Sequence, residues 1–204
     1  MASSRVPIAL AVAAWLLLPG ATATAQPTPR FTVEPTMSRG PAAASVTVFE
    51  WSDYQCPYCR EAQDILEQLR TDFADSVRFV FKDFPLRSHT LAVPAAIAAR
   101  CAGAQGRYWG YHDLLFLAQP DFSSEQLVGY ARRLGLEVPL FTECVETARF
   151  QEAVMADVRE GREAGVRATP TFFINGLKIE GAPPLDEFRE AIRQALREAG
   201  APAR

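Results

Sequence analysis

Cys56 and Cys59 are separated by Pro57 and Tyr58, with an apolar run before them and an amphipathic run after. Two thiols at this spacing close into a disulfide and reopen with little backbone movement. Where a helix begins at the first cysteine, its free N–H groups and the positive end of its dipole favour that thiolate. A thiolate formed near neutral pH makes exchange with other disulfides fast. The same pair also serves as half of a zinc site or as a loop staple, so the motif alone leaves three chemistries open. Structural zinc takes four ligands, commonly two such pairs or one pair with H-x-x-x-H. Here Cys101 and Cys144 stand far apart, as do His89 and His112, so no metal is expected.

The residues around the pair read as one element on each side. Val46-Thr47-Val48-Phe49-Glu50-Trp51 is a strand apolar on both faces apart from Glu50, the pattern of a central strand in a covered sheet. Cys59, Ala62, Leu66, Leu69 and Phe73, widened by Ile65, recur at helical spacing, with Pro57 suited to the first helical position. Val77 to Phe84 is the next strand, which makes a βαβ unit with parallel strands. From His89 to Arg167 the pattern is helical: Ala92–Cys101, Tyr108–Leu117, Leu127–Leu134 and Phe150–Gly165, with Ser123 and Gln126 as a capping box. Thr171–Ile174 and Leu177–Ile179 then flank Asn175-Gly176, a hairpin signal. Leu185, Phe188, Ile192, Ala195 and Ala199 mark a closing helix, ended by Gly200. The order βαβ, helical insertion, hairpin, helix is an α/β, thioredoxin-like fold with an inserted helical subdomain.

The N-terminus has the form of an export signal: Arg5, an apolar stretch from Val6 to Leu18, and Ala23-Thr24-Ala25 before Gln26. An uncleaved membrane anchor is the alternative, although the stretch falls short of the ~20 residues a span needs. The expected organisation is a signal peptide at 1–25, an arm at 26–44 with a strand near Phe31–Val33, and the first half of the thioredoxin-like domain at 45–88. The insertion follows at 89–167 and the second half at 168–204. A net charge of −3 with no basic run excludes nucleic acid and anionic membrane surfaces as expected partners. Export places all four cysteines where disulfides persist, with three pairings formally open.

Four segments in order carry a resemblance: Phe49 to Cys59; Ala99-Arg100-Cys101-Ala102; Tyr108 to Phe116; and Gly165 to Gly176. On these the chain resembles the DsbA-like extracytoplasmic thiol–disulfide oxidoreductases. The resemblance implies a cis-proline at Thr169-Pro170 beside the active disulfide, in a loop that holds substrate peptide by strand-like pairing. From the residues alone an ordinary trans proline is equally open. It also implies a buried acid at Glu50, with a raised pKa, relaying a proton to or from Cys59. The alternative is a partly solvated glutamate at the end of the strand.

Roles follow. Cys56 is the expected exposed sulfur and Cys59 the buried resolving thiol, with no cofactor beyond their own disulfide. Tyr58, neutral where some relatives carry histidine, predicts an oxidant of moderate strength. Cys101 and Cys144 read as a structural disulfide linking two helices of the insertion, worth roughly 4 kcal/mol for a loop of about 44 residues; two separate buried thiols are the alternative. His112 and Trp109 read as core residues, and His89 as an exposed turn residue.

The expected activity is oxidation of reduced exported proteins, with a membrane thiol oxidase, coupled to quinone, as reoxidising partner. Isomerases of this broad group are built as oligomers through a sizeable N-terminal module. The short arm here favours a monomeric, periplasmic or otherwise extracytoplasmic oxidase over an isomerase or reductase of misfolded proteins. A peptide-binding chaperone using the same groove is the non-enzymatic alternative.

Overall fold

The computed structural model describes residues 30–200; the expected export signal and cleavage site lie outside the described residues. A 3-10 turn, Pro35–Met37, leads into β1 (Ser38–Arg39), and β2 (Val46–Ser52), α1 (Pro57–Asp72) and β3 (Val77–Asp83) follow. The insertion comprises α2 (Ala92–Gly103), α3 (Tyr108–Leu117), α4 (Ser124–Arg133), α5 (Val138–Glu146) and α6 (Gln151–Glu163). The chain ends in β4 (Thr171–Ile174), β5 (Leu177–Glu180) and α7 (Leu185–Glu198).

β2 occupies the centre of a five-stranded sheet ordered β1-β3-β2-β4-β5, as its two apolar faces require. It runs parallel to β3 and antiparallel to β4. The βαβ unit and the hairpin thereby form one sheet. Asn175 (φ 45°) and Gly176 (φ 100°) make the tight turn between β4 and β5. The Asn175 amide also accepts from the Thr47 N–H at 2.9 Å and donates to the Ser45 carbonyl at 2.9 Å, which sews the turn to the start of β2.

α1 and α7 cover one face of the sheet, burying Leu66 and Leu69, and Phe188 and Ile192, against Val46, Val48 and Phe172. On the other face Trp51, Phe84 and Phe173 pack with Val158 of α6. Gly161 makes this approach possible: a Cβ there would lie 2.6 Å from the Trp51 ring. The remaining insertion helices enclose a core of their own, and it reaches Tyr54, Cys56 and Cys59. The site is therefore built partly from the insertion.

Three expectations need correction. The arm contributes its strand at Ser38–Arg39, not Phe31–Val33; Phe31 instead places its ring edge-on against Phe49, Trp51 and Phe173. α5 is a helix the periodicity did not reveal, because it is only nine residues long and begins Val-Pro. A proline in the first turn costs no helical hydrogen bond, so the segment folds regardless. His89 is no free turn residue: its side chain is only 23 % exposed and bonds to buried Asp53. Ser123 caps α4 as expected, accepting from the Gln126 N–H at 3.3 Å.

Buried charges pin the insertion to the sheet. Lys82 on β3 meets Asp157 at 2.5 Å and Glu160 at 2.7 Å, both on α6. Arg100 on α2 reaches Asp83 at 2.6 Å and Asp157 at 2.5 Å. Burial nevertheless raises the Asp83 carboxyl to about 6 against the pull of Arg100. The Trp51 indole donates to the Asp157 carbonyl at 3.1 Å within the same cluster.

Candidate active site

The turn Asp53–Cys56 joins the end of β2 to α1. Cys56 is the N-cap, Pro57 opens the helix, and the Cys56 N–H is taken up by the Asp53 carbonyl at 3.0 Å. Cys59 lies one turn in, on the face of α1 that packs inward, and is fully buried. Both are free thiols, whereas Cys101 and Cys144 are joined in a disulfide between α2 and α5.

The two thiols are held unlike. A hydrogen bond from Cys59 is the largest influence on Cys56; with the Thr169 side chain and the Cys59 and Tyr58 backbone N–H groups it outweighs burial and brings the Cys56 pKa down to about 6. Burial, followed by the bond and the charge of Cys56, pushes the Cys59 thiol well above its ordinary range. The first sulfur is thus poised as thiolate at neutral pH and the second as thiol. Cys56 is less open than expected, at 3 % exposed, because the cis peptide Thr169–Pro170 and the loop after α3 close over it. The Cys56 thiol lies 3.5 Å from the Thr169 carbonyl, to which it donates when protonated. Tyr58, by contrast, is 66 % exposed beside it.

Glu50 is buried on β2, and its pKa is raised to about 7 by loss of solvent, against the opposing pull of Arg70, Ser52 and Gln63. The Gln63 amide donates to the Glu50 carboxylate at 3.0 Å and to the Cys59 carbonyl at 3.4 Å, linking acid and thiol through α1. The buried Ser52 hydroxyl makes no hydrogen bond in this arrangement, yet it is near enough to Glu50 and Cys59 to favour the charged form of each. A groove of about 560 Å³ runs between α1 and α3 from Pro57 and Leu117 to Gln63 and Arg70.

The active turn is clamped from two sides, by residues that periodicity could not single out. Gln119, after α3, donates its amide to the carbonyls of Tyr54 and Cys56, the latter at 3.0 Å. From the loop after β3, Leu86 and Leu91 donate backbone N–H groups to the Asp53 carboxylate at 2.8 Å and the Gln55 amide oxygen at 2.6 Å. Asp53 two residues before Gln55 is the one clamp with a sequence signature, an Asx-turn in which its carboxylate accepts the Gln55 N–H at 2.7 Å. His112 is wholly buried among Tyr54, Phe81, Trp109 and Phe116, and desolvation lowers its pKa to about 4. It and Trp109 belong to the aromatic packing of α3. No cluster of three or more metal-ligating side chains exists among the described residues.

A five-stranded sheet with a dithiol at the N-terminus of its first long helix and a cis-proline loop against it is a thioredoxin-like architecture. A family model described as thioredoxin matches residues 32–194, and the chain belongs to that family. Among solved structures, oxidised BdbD from Bacillus subtilis superposes with a TM-score of 0.73 at 26 % identity, covering 79 % of this chain and 92 % of that one. A thioredoxin-like oxidoreductase from Silicibacter pomeroyi gives 0.72 at 25 %, covering 80 % and 94 %. The thiol-disulfide exchange protein alpha-DsbA2 from Wolbachia pipientis has the same fold, with 0.70 at 22 % over 77 % and 85 %. In sequence, the chain is 39 % identical over 159 residues to Na(+)/H(+) antiporter NhaA 1 of Salinispora arenicola, covering 78 % of this chain and 24 % of the antiporter. It therefore spans about a quarter of the length of that relative.

Proposed function

We propose that the chain is an exported thiol–disulfide oxidoreductase that introduces disulfides into reduced proteins. The observation that carries this reading is the unlike pair at the start of α1: Cys56 near pH 6 and Cys59 held as a buried thiol. A substrate thiolate attacks the Cys56 sulfur of the Cys56–Cys59 disulfide, forming a mixed disulfide and expelling Cys59 as thiolate. Glu50, linked to the Cys59 turn through Gln63, supplies the proton that Cys59 takes up. A second substrate thiolate then attacks the substrate sulfur of the mixed disulfide and expels the Cys56 thiolate. The substrate has lost two electrons and the protein has gained them; a membrane thiol oxidase takes them back. Thr169 and Pro170 offer the edge along which substrate backbone pairs, Tyr58 flanks it, and the protein acts outside the cytoplasm as a monomer without a bound cofactor.

Incubation of a reduced, unfolded substrate with oxidised protein tests the reading. Formation of substrate disulfides at a rate lost in Cys56→Ser is expected. Repair of a scrambled substrate with no oxidation of the reduced one would make it an isomerase. Suppression of aggregation that survives Cys56→Ser and Cys59→Ser together would make it a chaperone.

A further inference from the structure

The loop after β3 is the part of the site to which the exchange chemistry assigns no task, although it holds the active turn by side-chain chemistry. The Asp53 carboxylate is wholly buried, and all its ligands are accounted for: Gln55 N–H on one oxygen, Leu86 N–H and His89 Nδ1 on the other, the last at 2.7 Å. His89 is in turn fixed by its own N–H donating to the Leu86 carbonyl at 2.9 Å. Asp53 reaches both cysteines through its backbone. Its carbonyl accepts the Cys56 backbone N–H at 3.0 Å, and its own N–H is among the groups that favour the charged form of Cys59. One residue thus stands between the two cysteines with its side chain anchored at a histidine on another loop.

Resting on the exchange reading above, we propose that His89 is a positioning residue for the Cys56–Cys59 pair, acting through the Asp53 carboxylate. A buried carboxylate that loses a donor reorients to find another, since an unmet charged acceptor is costly. Rotation of Asp53 tilts its peptide groups. The N–H that favours the Cys59 thiolate and the carbonyl that accepts the Cys56 N–H then move together. Because the two thiols are affected unequally, the balance between dithiol and disulfide shifts along with the geometry. The other charged and titratable groups that face this turn are Tyr54 with Tyr108 and His112 in the aromatic packing, Asp83 at the end of β3, and Glu50 beyond Cys59.

An isosteric pair of variants tests this. His89→Asn keeps an N–H donor close to the place of Nδ1, while His89→Gln carries its amide beyond it. Ser88→Ala, an exposed neighbour in the same loop, is the control. The equilibrium of the Cys56–Cys59 pair with glutathione should move about fivefold in His89→Gln, a part of the more than tenfold that one charge-assisted hydrogen bond is worth because it reaches the thiols only through the Asp53 backbone, and stay within about twofold of wild type in His89→Asn and Ser88→Ala. The pH profile of Cys56 alkylation should move in the same variant alone. Wild-type values in His89→Gln, or an equal shift in Ser88→Ala, overturn the proposal. Alkylation of the reduced protein needs no substrate turnover. A moved profile in a protein that oxidises no substrate would therefore sustain the role of His89 and refute the exchange function.

Discussion

Cys56 ionises at about pH 6 for a local reason, a hydrogen bond from its partner thiol joined by helix N–H groups. Thiolate absorbance of the reduced protein should therefore rise with a midpoint near pH 6, and Cys59→Ser, which keeps a donor, should retain most of the depression. Tyr58 adds no charge there, so Tyr58→His should lower the midpoint further and make the pair more oxidising; an unchanged midpoint would remove Tyr58 from the account. Glu50 works in the opposite sense. Its folded pKa, about 7, lies above the ordinary 4.5, so its charge costs nothing below pH 4.5, progressively more up to pH 7, and a constant amount above. Glu50→Gln should thus stabilise the fold by roughly 3 kcal/mol at pH 8 and hardly at all at pH 4, measured by urea unfolding. Cys56 and Cys59 were legible from their spacing along the chain, whereas Glu50 and Pro170 stood out only through the resemblance, since a buried acid and a cis peptide leave no mark in spacing. Gln63, Gln119 and His89 were not, since their partners are backbone groups or side chains brought near only by the fold.

Among the elements, α6, with α2 beside it, ties the insertion to the sheet. Asp157 serves Lys82 and Arg100 at once, and both cations are almost wholly buried. Asp157→Ala should cost about 3–5 kcal/mol in urea unfolding, because it leaves buried positive charge undercompensated. The Cys101–Cys144 disulfide does a different task, joining α2 to α5 across the insertion. Replacing both by alanine should lower stability by about 2–4 kcal/mol and leave the ionisation of Cys56 unchanged. The long amphipathic helices α1 and α7 and the Asn-Gly hairpin were readable from period and turn chemistry. The short α5 was not, and neither was the charge network, whose members lie on three separate elements.

Across the whole molecule, the dithiol couples redox state to folding. The reduced fold gains stability from the lowered Cys56 pKa, in full above the thiol's ordinary value of 9, shrinking as pH falls and gone below about 6. The reduced protein should accordingly melt above the oxidised one at pH 7.5, with the gap narrowing by pH 5.5, as scanning calorimetry would record. An oxidised form that melts higher at pH 7.5 would argue against an oxidant.

The contact between Gly161 and Trp51 has an optical consequence. A helix without a side chain at its crossing point lets the indole lie dry, its N–H already spent on a backbone carbonyl. Light emitted from that ring should be blue-shifted while the insertion is seated and redden once water enters. With Trp15 and Trp109 replaced by phenylalanine, Trp51 becomes a gauge of how often the two halves part company, readable without any added label.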